Sequence, residues 1–438
     1  MFGMKILYMK TQHIFITLLI VLSFSCKKNE QKIVENKKTI LKGCVIGRDS
    51  DTLLLVKSHE DVRSDVIASI PIKENEFEYA FEADEYGAYA LIFQDEIRSG
   101  GWKPVRFYSE RDTIKLTLYS FDEFDSNIII GGDLNSEYKN YQATIKRDFY
   151  SQYNSVRKKY EKYDYKEFYS DAYKELITKL NQSKTQVERV PLYQKQKELQ
   201  NEKLDKSDLG KIKDAEFKVI NDALIEHRYA YIKNNPGIVS YSLIIDDILG
   251  IDYNQVPKEK VMIALNDLKQ KFPDHSYTEL GENLWIGFTE MKPGGNYINF
   301  SAPDIDGKIF ELKSVVDANE VLLLDLWATW CGPCIARSRL MLPVYEKYKD
   351  NGFNILGVAG EHKNLDKYTA FMEKEQWPWK QLIELDKENR IWEKYNVMNG
   401  GGGMFLIDSS GEILAVDPSA EEVEAILNKK LVSNKIKA

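Results

Sequence analysis

At 438 residues, 43% of them hydrophobic and 29% charged, the chain has the composition of a globular protein, and its length allows two or three domains. A net charge of −8 argues against a nucleic-acid partner, which calls for a basic face. Four cysteines over this length exclude a disulfide-stapled scaffold.

The first residues read as a secretory signal over residues 1–25. Lys5 and Lys10 form a basic start, residues 14–22 an apolar core broken only by Thr17, and Ser23-Phe24-Ser25 lead to Cys26. At about nine residues, that core is too short to span a bilayer as a helix. The ending Leu22-Ser23-Phe24-Ser25-Cys26 resembles a bacterial lipobox, which implies that Cys26 becomes the lipidated N-terminus. The plainer alternative is an ordinary signal with an incidental cysteine. Residues 26–38, rich in Lys, Glu, Asn and Gln, read as a solvated tether.

Residues 39–133 alternate short apolar runs with polar turns, at 52–57, 66–72, 77–81, 89–93, 105–108, 114–118 and 128–130. Phe77-Glu78-Tyr79-Ala80-Phe81 shows the period of two expected of a half-buried strand, so the segment predicts a small antiparallel β-sandwich or barrel. Gly100-Gly101 and Gly131-Gly132 mark turns. Cys44, inside the apolar stretch 41–46, reads as a small core residue. The segment carries no acid–base cluster and no metal-ligand spacing.

Helical spacing dominates residues 134–292: it is present at 138–173, 192–209, 215–232 (stopped at Asn234-Asn235-Pro236), 240–249 and 258–272. Aromatic residues at such spacing indicate core or interface rather than a ligand cage. The region is predicted to be a helical spacer or a dimerisation element.

From residue 293 the pattern becomes α/β. Pro293-Gly294-Gly295 ends the helical spacing, and residues 302–312 form a hairpin-like entry turning at Asp306-Gly307. A near-continuous apolar run at 321–326 reads as a buried strand of a mostly parallel sheet. Trp330-Cys331-Gly332-Pro333-Cys334 follows, with Cys331 at the first turn of a helix, where unpaired N–H groups and the dipole favour a thiolate. Pro333 is tolerated there, because first-turn N–H groups have no intrahelical partner to lose. Spacing of three places Cys334 one turn on, within disulfide reach. Cys331 is therefore the predicted attacking thiol and Cys334 the resolving one. A zinc site would need a second ligand pair, and Cys26 and Cys44 are distant. A strand at 354–359, a helix at 365–375, an extended segment at 381–384, a hairpin of 405–408 with 413–416 about Ser410-Gly411, and a helix at 420–430 complete the order of a thioredoxin fold.

Ser301-Ala302-Pro303-Asp304, the block from Asp325 to Cys334, and Phe405-Leu406-Ile407-Asp408 followed by Gly411 resemble the TlpA/ResA branch of thiol–disulfide oxidoreductases, a group related to AhpC/TSA proteins. The resemblance covers residues 300–430; residues 39–133 are similar to the β-domain of related envelope lipoproteins. It implies a thioredoxin-like domain at 293–438 with no cofactor beyond a redox-active Cys331–Cys334 disulfide and no metal. It also implies a disulfide-bearing protein substrate, contacted through Trp330, Gly332, Pro333, Gly401, Gly402 and Gly403. A membrane electron donor would re-reduce the pair. Asp325 matches a buried acid that exchanges protons with the resolving cysteine. The implied location is the bacterial cell envelope, lipid-anchored and periplasm-facing, at the outer rather than the inner membrane. Cytochrome c biogenesis is the pathway the resemblance brings.

Three positions depart from the family pattern. Arg337 and Arg339 stand where an acid and a proline are usual, and could favour the thiolate, attract an acidic partner or simply face solvent. Pro343 is predicted to bend the helix. Gly400-Gly401-Gly402-Gly403 replaces the segment carrying a cis-proline, with Gly402 nearest that position; the expectation is a flexible loop with a trans bond. Ala328 occupies the place where a peroxiredoxin needs Thr. The alternative of a different class is a copper or iron–sulfur protein, with His362 as an extra ligand, or a non-catalytic envelope interaction protein on the same scaffold.

Overall fold

The computed structural model describes residues 37–251, 255–398 and 401–432. The predicted signal, Cys26, most of the tether and Gly400 lie outside these residues. No helix among those described is long and apolar enough to cross a membrane.

The N-terminal strands are β1 (Lys37–Val45), β2 (Thr52–Lys57), β3 (Ala68–Pro71), β4 (Glu76–Ala83), β5 (Ala88–Phe93), β6 (Val105–Tyr108), β7 (Thr113–Leu118) and β8 (Ile128–Ile130). They form two four-stranded sheets, β4-β1-β7-β8 and β3-β2-β5-β6. Leu41, Leu53, Phe77, Leu91, Phe107 and Leu116 fill the space between them. The arrangement is not wholly antiparallel as expected, because β1 and β7 run parallel. The chain crosses to the second sheet and back between them, so neighbours in space are not consecutive in sequence. Cys44 also differs from expectation. Leu41 and Val45 point inward at period two, which leaves Cys44 half-buried on the other face as a free thiol.

Among the described residues, eight α-helices follow from the end of β5 onward: α1 (Gln94–Ser99), α2 (Asp133–Tyr160), α3 (Asp171–Gln182), α4 (Gln186–Asn201), α5 (Asp208–Asn234), α6 (Ile238–Leu249), α7 (Lys258–Lys271) and α8 (Ser276–Glu290). The stretch predicted as helical over 138–173 is interrupted after Tyr160, and α3 restarts with Ser170 accepting from the Tyr173 N–H. The segment forming α8 lies in the region predicted to be helical, although the sequence pattern singles out no individual helix there. Gly281 and Gly287 interrupt its side-chain pattern, yet Gly287 is where it meets the next domain: a Cβ there would lie 2.8 Å from the Glu393 and Lys394 carbonyl oxygens. The helical layer is joined to the sandwich by a bidentate Arg106–Asp246 pair at 2.5 and 2.6 Å, a 2.6 Å Tyr108–Ser242 hydroxyl contact, and the Ala88 N–H donating to the Tyr277 hydroxyl at 2.8 Å. It is thus a packed layer between the other two parts.

The C-terminal part begins with the hairpin β9 (Ser301–Pro303) and β10 (Ile309–Glu311), then α9 (Leu312–Asp317) and β11 (Val321–Trp327). After these come α10 (Gly332–Tyr348), β12 (Phe353–Glu361), α11 (Asp366–Glu375), β13 (Lys380–Leu385), α12 (Ile391–Lys394), β14 (Gly403–Asp408), β15 (Ile413–Val416) and α13 (Ala420–Leu427). The central sheet has the order β13-β12-β11-β14-β15, with β11, β12 and β13 parallel and the last two strands antiparallel. This is the thioredoxin-like arrangement. Every residue of β11 is buried because both sheet faces are covered, which explains its continuous apolar run. Val321, Leu323 and Trp327 enter the core with α10 and α13, while Leu322, Leu324 and Leu326 enter the opposite core. Helix α10 runs on through Pro343, and α4 packs alongside it.

Candidate active site

Period two on β11 decides where Asp325 goes: it shares the face of Leu323 and Trp327, and that face is covered by α10. On α10, Cys334 and Ser338 are four apart and therefore lie on one side of the helix. The two elements meet there. Asp325 Oδ2 accepts from the Ser338 hydroxyl at 2.6 Å, and that hydroxyl lies 3.0 Å from the Cys334 carbonyl oxygen. Asp325 Oδ1 is buried without a hydrogen-bond partner. Burial disfavours the carboxylate and pushes Asp325 up to about 6, although the Ser338 hydrogen bond and the charge of Arg337 pull the other way.

Cys331 and Cys334 are joined in a disulfide with Cα atoms 5.3 Å apart, within the span such a bond permits. Cys331 is the N-cap of α10, and its Sγ accepts from the Cys334 N–H at 3.3 Å. Gly332 and Pro333 form the first turn, where proline costs no hydrogen bond. Both cysteines are buried, Cys331 at 8% exposed and Cys334 at 2%, so the residue more open to solvent is the predicted attacker. The loop before the motif is fixed by Glu361, a buried acid at the end of β12, which accepts from the Thr329 N–H at 2.7 Å and hydroxyl at 2.8 Å. Trp330 is half exposed, and its ring stacks on His362 with centroids 6.1 Å apart. Among the described residues, no three His, Cys, Asp or Glu side chains converge as metal ligands.

The AhpC/TSA family pattern matches residues 293–416. The thiol-disulfide oxidoreductase ResA of Bacillus cereus is 29% identical over 160 residues, covering 34% of this chain and 87% of the relative. ResA of Bacillus subtilis is 26% identical over 139 residues, covering 30% and 71%. The thioredoxin domain of a thiol-disulfide oxidoreductase from Bacteroides vulgatus has 23% identity and a TM-score of 0.29, covering 32% of this chain and 97% of that one. The C-terminal domain is similar to the thiol–disulfide oxidoreductases of the TlpA/ResA type.

On the wall opposite the motif, this TlpA/ResA-like site differs from what the glycine run suggested. Gly401, rather than Gly402, lies on the disulfide: a Cβ at Gly401 would sit 2.3 Å from Cys331 Sγ. Gly402 has φ +148°, and a Cβ there would sit 1.8 Å from the Leu326 carbonyl oxygen. Proline, fixed near φ −65°, has no place in that backbone. Gly403 is buried and pairs with Leu326 on β11. The three described glycines therefore lie closely packed against Cys331, Leu326 and Val397. Glycine suits this segment because backbone must approach both the sulfur and β11 too closely for a side chain.

The two arginines are engaged as well. Arg337 donates to Asp417 Oδ1 at 2.6 Å, and the same oxygen accepts the Met404 N–H at 3.0 Å. The active helix is thereby tied to the start of β14, just beyond the glycines. Arg339 forms two hydrogen bonds with Glu375 at 2.6 and 2.9 Å. Neither arginine is a free solvated cation.

Sequence reasoning missed Ser338, Glu361 and Asp417. Ser338 could have been found as the residue four after Cys334, on the same helical face. Glu361 had a weaker signal, as an acid closing an apolar strand. Asp417 had none, because only the return of β15 brings it to Arg337.

Proposed function

We propose that the protein is a thiol–disulfide oxidoreductase that reduces disulfides of partner proteins through Cys331 and Cys334. The reading is carried by one observation: a disulfide at the N-terminus of α10 backed by a buried acid whose partner, Ser338, also touches the resolving cysteine's backbone. In the reduced protein, the Cys331 thiolate attacks one sulfur of the partner disulfide. A Cys331–partner bond forms, the partner's S–S bond breaks, and the released sulfur leaves as a thiolate that takes a proton. Cys334 passes its proton to Asp325 and attacks Cys331, forming the intramolecular disulfide and releasing the second partner thiol. Two electrons move to the partner, and a dithiol donor at the membrane returns two to the pair.

The signal-like start, with Cys26 as a lipidation site, supports a periplasm-facing protein tethered to the envelope at the outer membrane. Fatty-acid labelling of wild type and Cys26→Ser tests the anchor. For the chemistry, wild type should accelerate insulin reduction by dithiothreitol above the rate of dithiothreitol alone and Cys331→Ser should not; a Cys331→Ser variant active at the wild-type rate would overturn the mechanism. The couple's reduction potential sets the direction, with ~30 mV equivalent to ~1.4 kcal/mol.

A further inference from the structure

Three adjoining cavities, of about 30, 300 and 540 Å³, lie where the loop after β2 faces the thioredoxin-like domain, and Asp61 borders all of them. The largest is open and runs between the Asp61–Ser64 loop on one side and His362–Lys367 on the other, with Trp330 in its lining. Trp330 is the residue before Cys331 in the chain, so this groove borders the loop that carries the redox motif. Its first wall is anchored by an ion pair between Asp65 and Lys387 at 2.5 Å. The N-terminal domain therefore borders a groove that includes Trp330, the residue before the attacking cysteine.

The groove's chemistry is asymmetric. Trp330 and His362, stacked on each other, supply a flat aromatic surface. Both carboxylates in the lining of the largest cavity are engaged: Asp61 accepts two or more hydrogen bonds from Arg63, and Glu361 holds Thr329 from a buried position. Lys363 and Lys367 stand exposed on the opposite rim. We propose that this groove docks an extended, disulfide-bearing segment of the partner protein with acidic residues beside its cysteine. Two walls admit a single strand of chain more readily than a folded surface, and a rim of lysines attracts carboxylates. The N-terminal domain then acts as one jaw of the substrate site.

This inference rests on the thiol-exchange reading, and the experiment separates the two. The probes are two synthetic peptides, each with one cysteine capped as a mixed disulfide with thionitrobenzoate; Glu flanks the cysteine in one and Lys in the other. Attack by the reduced protein ends with its own disulfide, free peptide thiol and coloured thionitrobenzoate. The small symmetric reagent, dithiobis-nitrobenzoate, is the control for chemistry: if reduced wild type fails to react with it, the oxidoreductase reading falls. If wild type reacts, the acidic peptide should exchange about tenfold faster than the lysine peptide at low salt, within the range of electrostatic steering. The double variant Lys363→Glu/Lys367→Glu should reverse that preference. Equal rates for both peptides, an unchanged preference in the variant, or oxidised glutathione reacting as fast as the acidic peptide would each overturn the groove while leaving the chemistry standing.

Discussion

The wall behind the disulfide and the wall facing it are built over different distances along the chain. Behind it, Asp325 and Ser338 meet across 13 positions, through one strand and the helix that follows. Facing it, Arg337 reaches Asp417 across 80 positions, and the glycines it helps to hold lie at the start of β14, which pairs with β11 from a distant part of the chain. The first wall is local and holds the buried acid whose proton is retained up to about 6. The second is long-range and carries shape. The contrast suggests that the site's chemistry and its substrate fit can vary separately, since altering the facing wall leaves the strand–helix unit intact.

Gly402→Pro is the strongest test of the facing wall, because it restores the residue the family pattern expects. At φ +148° it should destabilise the fold by about 3 kcal/mol or more, read as a lower denaturation midpoint. Wild-type stability would mean that the loop readily adopts another path. Asp325→Asn tests the other wall. The resolution step should slow by about 100-fold and lose its rise through pH ~6. Stability should move the opposite way. Asp325 holds its proton more tightly when folded, up to about 6 against an ordinary 3.8, so its contribution is complete below the lower value and lost as pH rises through the upper. Wild type at pH 7 therefore carries a burial cost of order 3 kcal/mol that the neutral amide avoids, and the variant should melt higher at pH 7 than wild type. A variant that is both slower and less stable would contradict this account.

Smaller effects follow from the links within each wall. Arg337→Ala removes the clamp on β14 and should cost about 1 kcal/mol, given a partly exposed pair. Its exchange rate should fall with the cysteine-proximal acid still titrating, and an Arg337→Asp/Asp417→Arg swap should recover part of the loss. The least change is expected from Ser338→Ala. Loss of one hydrogen bond to the charged form should move the Asp325 midpoint upward by less than about one unit, visible in the pH–rate profile.

A second buried aspartate sharpens what the first wall means. Asp247, in the helical layer, is also raised to about 6 by burial, with Arg228 at 3.0 Å. No cysteine or other reacting group adjoins it in the interactions described. A raised carboxyl is thus common to a packed ion pair and to the redox site, and what distinguishes Asp325 is the sulfur chemistry beside it.

The CxxC unit and the buried strand before it were legible in the amino-acid sequence, because each rests on a pattern within one strand or helix turn, while Asp325 was legible through the family resemblance and the thioredoxin-like order through the succession of such patterns. The sandwich strands were legible for the same reason, as period-two runs, but their pairing was not: β1 beside β7 depends on which sheet each crossover enters. Helix α8 was obscured because its glycines serve packing, Gly281 against Leu265 and Ile245 of the helical layer and Gly287 against α12. Only tertiary structure decided that Gly401 meets the sulfur, that Asp417 answers Arg337, and that the loop after β2 stands beside Trp330. Those contacts join residues tens to hundreds of positions apart, and local pattern carries no record of where the chain returns.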